Sequence, residues 1–387
     1  MTLKERFEAV GYRGPGFDLI RLLAATAVLV HHSLSVQYDP VTIDPIYQFS
    51  HGFTHLGYGA VAVFFAISGF LVTPGLVRSR NVIDFGVRRI VRIYPALIVL
   101  VLVIIFIVGP ALTKLPLATY FAEPGTARYA RNIIPLTEDY LPGVFLPSGQ
   151  PAIVDGSLWT LFYEVICYIA LGAASVLGLL RYRWAFAALL AASLALSAGA
   201  ALGLVPAAIV PGIVLTLNGL FLYFAAGVTL FLFADRIPWS WPWAVAALIA
   251  TIASMPLGLA PLIAPAAIAY LVIYLGLSAL PLSGRLENHD LSYGLYLVHG
   301  TVLIAVQILF PQLQIWWVVA LLVLPISLGL AFLSWTFIEH PVLAQKSRIA
   351  HAIDDLAERA SEILPPVRLL TGRAAGIVKA ARPAKGD

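Results

Sequence analysis

The most informative polar residues of the sequence are Arg21 and His32, which lie in an apolar stretch near the amino terminus. They are eleven residues apart, so on an α-helix they project from nearly the same face, about 16 Å apart along the axis. Ionisable side chains are rare within a bilayer and are usually functional there. The pair could place a cation near one membrane surface and a proton-accepting imidazole deeper inside. Alternatively, Arg21 reaches the lipid headgroups and His32 bonds to a neighbouring backbone.

A carboxylate, Glu164, occurs in the segment 157–164, where the fourth apolar stretch begins. It lies about two helical turns into that stretch, at a depth comparable with that of His32. A carboxylate there could orient the imidazole and raise its basicity, so that His32 removes a proton from a hydroxyl group. Trp159 is predicted to support this group. Glu164 could instead pair with another buried donor for helix packing alone.

Three arginines, Arg88, Arg89 and Arg92, lie where the third apolar stretch begins. Their spacings of three and four residues place them on one side of a helix. Guanidinium groups suit phosphate oxygens, and the segment is predicted to face the compartment that contains coenzyme A. The cluster could equally be ordinary positive-inside anchoring.

Smaller polar features complete the set, although each alone is more often a packing or anchoring residue. The predicted supporting residues, besides Trp159, are Asp18, Ser68, Tyr296, His299 and Glu339. A single cysteine, Cys167, excludes internal disulfides and cysteine-based metal sites. The eight histidines have none of the usual ligand spacings, so no metal site and no tightly bound cofactor is predicted.

The composition indicates which elements must position these side chains. The chain has 387 residues, of which 60% are hydrophobic and 11% charged, with a mean hydropathy of +0.90. Soluble domains carry about 25% charged residues, and disordered chains need low hydrophobicity. The composition therefore predicts an all-α polytopic membrane protein.

Ten apolar stretches are long enough to be considered spans, since a bilayer helix needs about 20 apolar residues. They are approximately 17–36, 56–77, 89–110, 157–180, 184–204, 209–234, 240–258, 260–280, 290–310 and 315–338. Of the 24 lysines and arginines, only Lys114, Arg128 and Arg131 fall in segments predicted to be outside, and Arg21 falls within a span. This asymmetry predicts that both termini are cytoplasmic. It explains the net charge of +4 without nucleic-acid binding.

Two regions are predicted from these boundaries. Residues 1–345 form a transmembrane domain whose long extracytoplasmic loop, 111–156, covers an outward-facing acceptor site. Residues 346–387 form a cytoplasmic amphipathic and basic tail on the anionic leaflet. Beyond Pro366 a frayed, solvated tail is equally compatible with the sequence.

Together these residues resemble membrane acyltransferase family 3, whose members transfer acyl groups, often acetyl from acetyl-CoA, to sugars and other hydroxyl acceptors. Six motifs occur in the family's order and span about residues 15–342. They are Asp18-x-x-Arg21-x10-His32, Phe64-Phe65-x-x-Ser68-Gly69-Phe70-Leu71, Arg88-Arg89-x-x-Arg92-Ile93-x-Pro95, Ser157-Leu158-Trp159-x-Leu161-x-x-Glu164, Ser292-Tyr293-Gly294-Leu295-Tyr296-x-x-His299 and Phe337-Ile338-Glu339-x-Pro341. The resemblance implies a multi-pass protein of the bacterial cytoplasmic membrane. A stand-alone member without the fused extracytoplasmic domain of many relatives is expected.

The residues and the resemblance together predict an O-acyltransferase. Cytoplasmic acyl-CoA, with acetyl-CoA the expected donor, is held by Arg21 and the three arginines 88, 89 and 92. His32 is the general base and Glu164 orients it. The expected acceptor is a glycan or glycolipid, namely an envelope polysaccharide or lipopolysaccharide sugar. Alternatives are a small glycoside such as a macrolide sugar, a proton-coupled transporter or flippase, and a non-catalytic scaffold. The oligomeric state is not predicted.

Overall fold

Ten helices follow the ten predicted apolar stretches closely. The computed structural model describes residues 1–36, 44–52, 54–79, 81–134, 136–201, 203–204, 212–286, 290–346, 348–350 and 352–353. The ten helices are α1 (Phe17–Ser33), α2 (Leu56–Ser79), α3 (Val82–Val103), α4 (Trp159–Val176), α5 (Arg183–Ala201), α6 (Gly212–Leu232), α7 (Trp241–Ser254), α8 (Ala260–Gly276), α9 (Ser292–Leu309) and α10 (Trp316–Ser334). Two of them continue through single π-helical turns, α3 as far as Leu112 and α10 as far as Ala344. The prediction of an all-α polytopic membrane protein is confirmed.

Length and composition separate these helices into two groups. Seven of the helices in the described residues, α2 to α6, α9 and α10, are long and apolar enough to cross a membrane. Helices α7 and α8 are shorter, and α1 has 17 residues and includes Asp18 and Arg21. The turn around Met255 divides α7 from α8 where the sequence predicted a division. The cytoplasmic placement of both termini stays a prediction.

Glycines allow α2 and α6 to touch along their backbones. A Cβ atom on Gly69 would lie 2.1 Å from the carbonyl oxygen of Phe224, and one on Gly227 would lie 2.2 Å from that of Ala66. Small residues at such crossings are typical of membrane helices, whose association depends on close van der Waals packing. The crossing fixes the part of α2 that carries Ser68.

The segment 111–156 is folded. It contains the short helices Leu117–Ala122 and Pro124–Tyr129 and an antiparallel hairpin of β1 (Tyr140–Phe145) and β2 (Pro151–Ile153). The fully buried Tyr120 donates a hydrogen bond to the carbonyl of Ile105 on the π-turn of α3. The segment is thus attached to the helices below it, and its role as a cover stays a prediction.

Asp155 fastens the end of this segment to α9. Its carboxylate accepts hydrogen bonds from the amide and hydroxyl of Ser157 and from the hydroxyl of Thr301, the last at 2.8 Å. Burial raises the pKa of Asp155 to about 6, although the hydrogen bonds from Ser157 and Thr301 oppose the rise. Thr301 lies two residues after His299, so the loop is anchored close to a predicted site residue.

The carboxyl-terminal tail is described only at its beginning. The buried Ala350 packs against Val87 and Val91 of α3, and residues 348–350 and 352–353 are helical. The rest of the predicted amphipathic and basic tail lies outside the described residues.

Candidate active site

Two histidines from different helices, a half-buried His32 and a buried His299, meet directly. The Nδ1 atom of His32, one residue before the end of α1, lies 2.9 Å from Nε2 of His299 on α9. The other ring nitrogen of His299, Nδ1, lies 2.8 Å from the carbonyl oxygen of Tyr296 and 3.1 Å from that of Leu295. His299 is completely buried.

These contacts determine where the protons lie on both rings. A carbonyl oxygen only accepts hydrogen bonds, so Nδ1 of His299 must carry the hydrogen. In the neutral ring, Nε2 of His299 is then an acceptor, and Nδ1 of His32 must donate to it. The lone pair of His32 is therefore on Nε2. An imidazole oriented in this way, with a basic nitrogen turned away from its partner, is suited to act as a general base.

Glu164 lies in a different environment from His32. Among the described residues its hydrogen bond comes from the hydroxyl of Tyr168, one turn further along α4. The Tyr168 hydroxyl is also 2.7 Å from the Oγ atom of Ser68. The predicted contact between Glu164 and His32 is therefore wrong in this structure, and His299 takes the orienting position. Depth alone suggested the pairing, but Glu164 faces the side of the bundle where the arginines of α3 enter.

A cavity of about 450 Å³, called the arginine cavity below, is lined by all four predicted arginines and by Glu164. Its polar and charged walls include Arg21, Ser68, Arg88, Arg89, Arg92, Glu164, Asp290, Tyr293, Tyr296 and Lys346. Arg92 is ten residues into α3, about 15 Å along its axis, so the positive charge extends well into the bundle. The arginines predicted from two separate motifs do come together.

Asp290 joins Arg21 to Arg92, and sequence reasoning missed it. Its Oδ2 atom lies 2.8 Å from Nη1 of Arg21 and 2.6 Å from Nη2 of Arg92. Burial acts to raise the pKa of Asp290, but Arg92, Arg21 and hydrogen bonds from Ser292 lower it to about 2. The available signal was an aspartate two residues before the serine that begins α9, a spacing that allows side-chain bonding to the helix start. The predicted stretch 290–310 begins at this residue, but Asp290 belongs to none of the six motifs.

Two supporting carboxylates also contact these arginines. Asp18 lies 3.3 Å from Nη1 of Arg21, and Glu339 lies 3.2 Å from Nη1 of Arg92. Glu339 is nearly fully buried at the π-turn through which α10 continues, and Ser334 also donates to it. These contacts hold the two guanidinium groups in place.

Arg88 and Arg89 are neighbours in sequence but differ in their partners. Arg88 is paired with Asp84 at 2.8 Å. The guanidinium of Arg89 lies over the rings of Phe85 and Tyr168, at 5.9 and 5.7 Å from their centroids, and its buried Nε atom has no hydrogen-bond partner among the described residues. Arg89 is thus the guanidinium best placed to accept a new anionic partner in the cavity.

His32 lines a second, smaller cavity of about 60 Å³. This chamber, called the histidine chamber below, shares Val61 and Tyr296 with the arginine cavity. The Tyr296 hydroxyl is held by the Oγ1 atom of Thr160 at 2.7 Å and the carbonyl of Ser157 at 3.1 Å. Trp159 lines the chamber as well. The two cavities thus adjoin at Tyr296, between the guanidinium groups and the His32 imidazole.

A second histidine cluster lies beside the chamber. Ligand atoms of His31, Asp44 and His55 all lie within 4.8 Å of one another, close enough to hold a metal ion. The Asp44 carboxylate, however, already accepts hydrogen bonds from His31 and from the amides of Leu56, Ile46 and Tyr47. These hydrogen bonds already link Asp44 to the end of α1 and to the start of α2. The absence of a metal site stays a prediction.

His55 in that cluster is held neutral. Burial, together with the nearby His31, lowers the pKa of His55 to about 4, although Asp44 opposes the shift. Its Nδ1 atom accepts a hydrogen bond from the amide of Tyr58 at 3.2 Å. His55 and Tyr58 therefore present a fixed, uncharged wall to the chamber.

Comparison with known proteins identifies the family of the chain. The family model of acyltransferase family 3, described as an acyltransferase domain, matches residues 15–336. The chain belongs to membrane acyltransferase family 3. The matched range contains every predicted site residue except Glu339.

Two relatives extend the comparison. The chain is 37% identical to an O-acetyl transferase of Shigella phage Sf6 over 161 residues, which is 41% of this chain and 45% of the relative. It is 30% identical to Nodulation protein 10 of Rhizobium leguminosarum bv. viciae over 366 residues, 88% of this chain and 95% of the relative. The first match thus spans less than half of the phage protein. No solved structure matches the chain.

Proposed function

We propose that this acyltransferase is an O-acetyltransferase that moves an acetyl group from cytoplasmic acetyl-CoA to a hydroxyl of an envelope glycan. The observation that carries the proposal is the His32–His299 pair, whose chamber adjoins the arginine cavity at Tyr296. One cavity offers anion binding and the other a base, which are the two requirements of acyl transfer from a coenzyme A thioester.

The donor binds in the arginine cavity. The phosphates of coenzyme A contact Arg89, whose buried Nε atom has no hydrogen-bond partner among the described residues, with Arg88 and Lys346 nearby. Arg21 and Arg92, held by Asp290, supply further positive potential. Charge-assisted bonds of guanidinium groups to phosphate are among the stronger hydrogen bonds in proteins. The pantetheine arm passes Tyr296 and brings the thioester carbonyl to the histidine chamber.

Acetyl transfer uses the lone pair on Nε2 of His32. This nitrogen removes the proton of the acceptor hydroxyl as the oxygen attacks the thioester carbonyl carbon. The tetrahedral intermediate then expels the coenzyme A thiolate, which takes the proton from the His32 imidazolium. The carbon–sulfur bond breaks, a carbon–oxygen bond forms, and the base returns to its initial state. His299 keeps Nε2 of His32 directed at the hydroxyl throughout.

The family and the relative named O-acetyl transferase support an acetyl group. We place the protein in the bacterial cytoplasmic membrane with both termini inside, because the basic residues are distributed in that way. The acceptor then reaches His32 from the outer side, beneath segment 111–156. A polysaccharide or lipopolysaccharide sugar fits that position.

The test uses purified full-length protein in detergent with radiolabelled acetyl-CoA and extracted envelope glycans. Label should enter the glycan, and His32→Gln should prevent this without changing acetyl-CoA affinity. A transporter or flippase would form no labelled product in the absence of a membrane gradient. In the organism, a deletion strain should lack one acetyl ester on an envelope glycan by mass spectrometry, and the wild-type gene, but not the His32→Gln gene, should restore it.

A further inference from the structure

A third cavity, larger than the arginine cavity and the histidine chamber, lies beside them. It has a volume of about 630 Å³ and runs between α1, α2, α6 and α8. Its walls are almost entirely apolar: Ile20, Leu23, Ala24, Ala27, Gly59, Ala60, Val63, Leu222, Ala264, Pro265, Ile268 and Val272 are among them. This apolar groove extends along α8 from Ala260 to Val272, about 18 Å at 1.5 Å per residue. Such a shape and lining suit a hydrocarbon chain lying parallel to the bilayer normal.

The groove is open to the outside of the helix bundle. Leu23, one of its wall residues, is 59% exposed. Small residues keep it from being filled, and a Cβ atom on Gly59 would meet nothing within 4 Å. A chain could therefore enter sideways from the bilayer without displacing packed side chains.

The groove borders the histidine chamber. It shares His55 and Tyr58 with the histidine chamber. These residues and Thr54 lie at its outer end, where α2 begins, whereas the deeper walls are apolar. An amphiphile bound here would have its hydrocarbon in the groove and its polar head beside His32.

The size of the histidine chamber indicates which substrate carries the hydrocarbon. The chamber has a volume of about 60 Å³, about a tenth of the volume of the apolar groove. This suits an acetyl group and not a long acyl chain, so the donor leaves the groove unused. The acceptor is the remaining reactant.

We infer that the apolar groove binds the hydrocarbon chain of a lipid-linked acceptor, so that the hydroxyl acetylated at His32 belongs to a sugar that is still attached to a membrane lipid. This inference rests on the proposed function and narrows its acceptor to amphiphilic sugars. The bilayer concentrates such acceptors, and burial of each methylene group contributes about 0.8 kcal/mol.

The experiment compares matched acceptors in nanodiscs containing the full chain and radiolabelled acetyl-CoA. The probes are hexadecyl and methyl glycosides of glucose, N-acetylglucosamine and rhamnose. For the sugar that is acetylated, the hexadecyl form should have at least about a tenfold higher kcat/KM, equivalent to about 1.4 kcal/mol, mainly through KM. Gly59→Leu should remove this advantage and leave methyl glycoside turnover unchanged.

Gly75→Leu is the matched control, because it lies on the same helix, also has nothing within 4 Å of its Cβ position and lines none of the three cavities described above. It should keep the full preference. Leu23→Trp, at the groove mouth, provides a second variant if Gly59→Leu does not fold, and it should reduce the preference.

Equal rates for hexadecyl and methyl forms would overturn the inference, as would a preference that survives Gly59→Leu. A Gly59→Leu variant that slows both forms equally would indicate a structural lipid or the donor in the groove, and would also overturn it. If wild-type protein binds acetyl-CoA but acetylates no glycoside of either form, the proposed function itself fails and the inference falls with it.

Discussion

The Nδ1 atom of His32 and the Nε2 atom of His299 lie 2.9 Å apart and join α1 to α9 within the bundle. His299 is in turn held by two carbonyl groups of its own helix. Serine hydrolases commonly orient their catalytic histidine with a carboxylate. Here a neutral imidazole does so, and no buried negative charge is needed next to the base.

The first prediction concerns the base itself. His32→Gln should lower kcat by roughly 10²–10⁴-fold, the contribution usual for general-base catalysis. The Kd for acetyl-CoA should not change, because donor phosphates bind in the other cavity. Turnover measured with radiolabelled acetyl-CoA and affinity measured by calorimetry check the two parts. A variant with wild-type kcat would exclude His32 as the base.

His299 is predicted to act through His32 and not on the substrate. His299→Leu removes the acceptor for the Nδ1 hydrogen of His32, so kcat should fall by no more than the roughly 10²–10⁴-fold that the base contributes, with KM little changed. His299→Gln retains an amide oxygen that can accept the same hydrogen, so it should recover part of the activity. If both variants lose activity equally and also unfold at lower temperature, His299 is only a packing residue.

Arg88 and Arg89 provide a matched pair for donor binding. Arg89→Gln should raise the Kd for coenzyme A by about 10- to 100-fold, since one hydrogen bond to a charged group contributes about 1.5–3 kcal/mol. Arg88→Gln should change it by less than about fivefold, because Arg88 is partly exposed and already paired with Asp84. Calorimetry at two salt concentrations checks both values. Equal losses would show that the paired and unpaired arginines contribute alike.

Hydropathy was sufficient to locate the ten helices, seven of which are long and apolar enough to cross a membrane, because a helix that crosses hydrocarbon must satisfy its backbone internally and present an apolar surface of set length. The arginine cavity was also predictable in part. Arg21 and Arg92 recur in motifs of charged residues that the bilayer disfavours, and the structure brings them together at Asp290.

The contacts between helices were not predictable in the same way. Depth along a helix can be counted from sequence, but the rotation of one helix against another depends on packing, such as the Gly69–Phe224 crossing. For this reason Glu164 was assigned to His32, although it bonds to Tyr168. Asp290 was missed because it precedes a helix and carries no periodic signal.

Stability in acid should depend on Asp290. Its folded pKa of about 2 is below the unfolded value of about 3.9, so its ionised form stabilises the fold. This contribution, about 2–3 kcal/mol, is complete above about pH 5 and is lost as the pH falls towards 2. Asp290→Asn should lower the Tm in detergent at neutral pH and show a smaller further loss in acid.

Comparing the Tm of wild type with that of Asp290→Asn separates the effect of Asp290 on stability from the effects of other titrating groups. Asp155 contributes with the opposite sign, because its raised pKa of about 6 makes its ionisation unfavourable to folding as the pH rises from about 4 to 6. That contribution is common to wild type and Asp290→Asn and cancels in the difference. Parallel Tm curves between about pH 3 and pH 7 would contradict the prediction for Asp290.

The last prediction tests how segment 111–156 is held. Thr301→Val removes the hydroxyl that donates to the buried carboxylate of Asp155 while keeping the shape of the side chain. Leaving that oxygen without its donor costs about 1–3 kcal/mol, and local opening of the segment should increase accordingly. Trypsin should then cleave after Arg128 faster than in wild type, by about fivefold or more. Thr336→Val is the control, because its hydroxyl bonds to the carbonyl of Phe332 on the exposed side of α10, and it should leave cleavage unchanged. Equal cleavage in the Thr301 variant and wild type would show that the hairpin and Tyr120 hold the segment without Asp155.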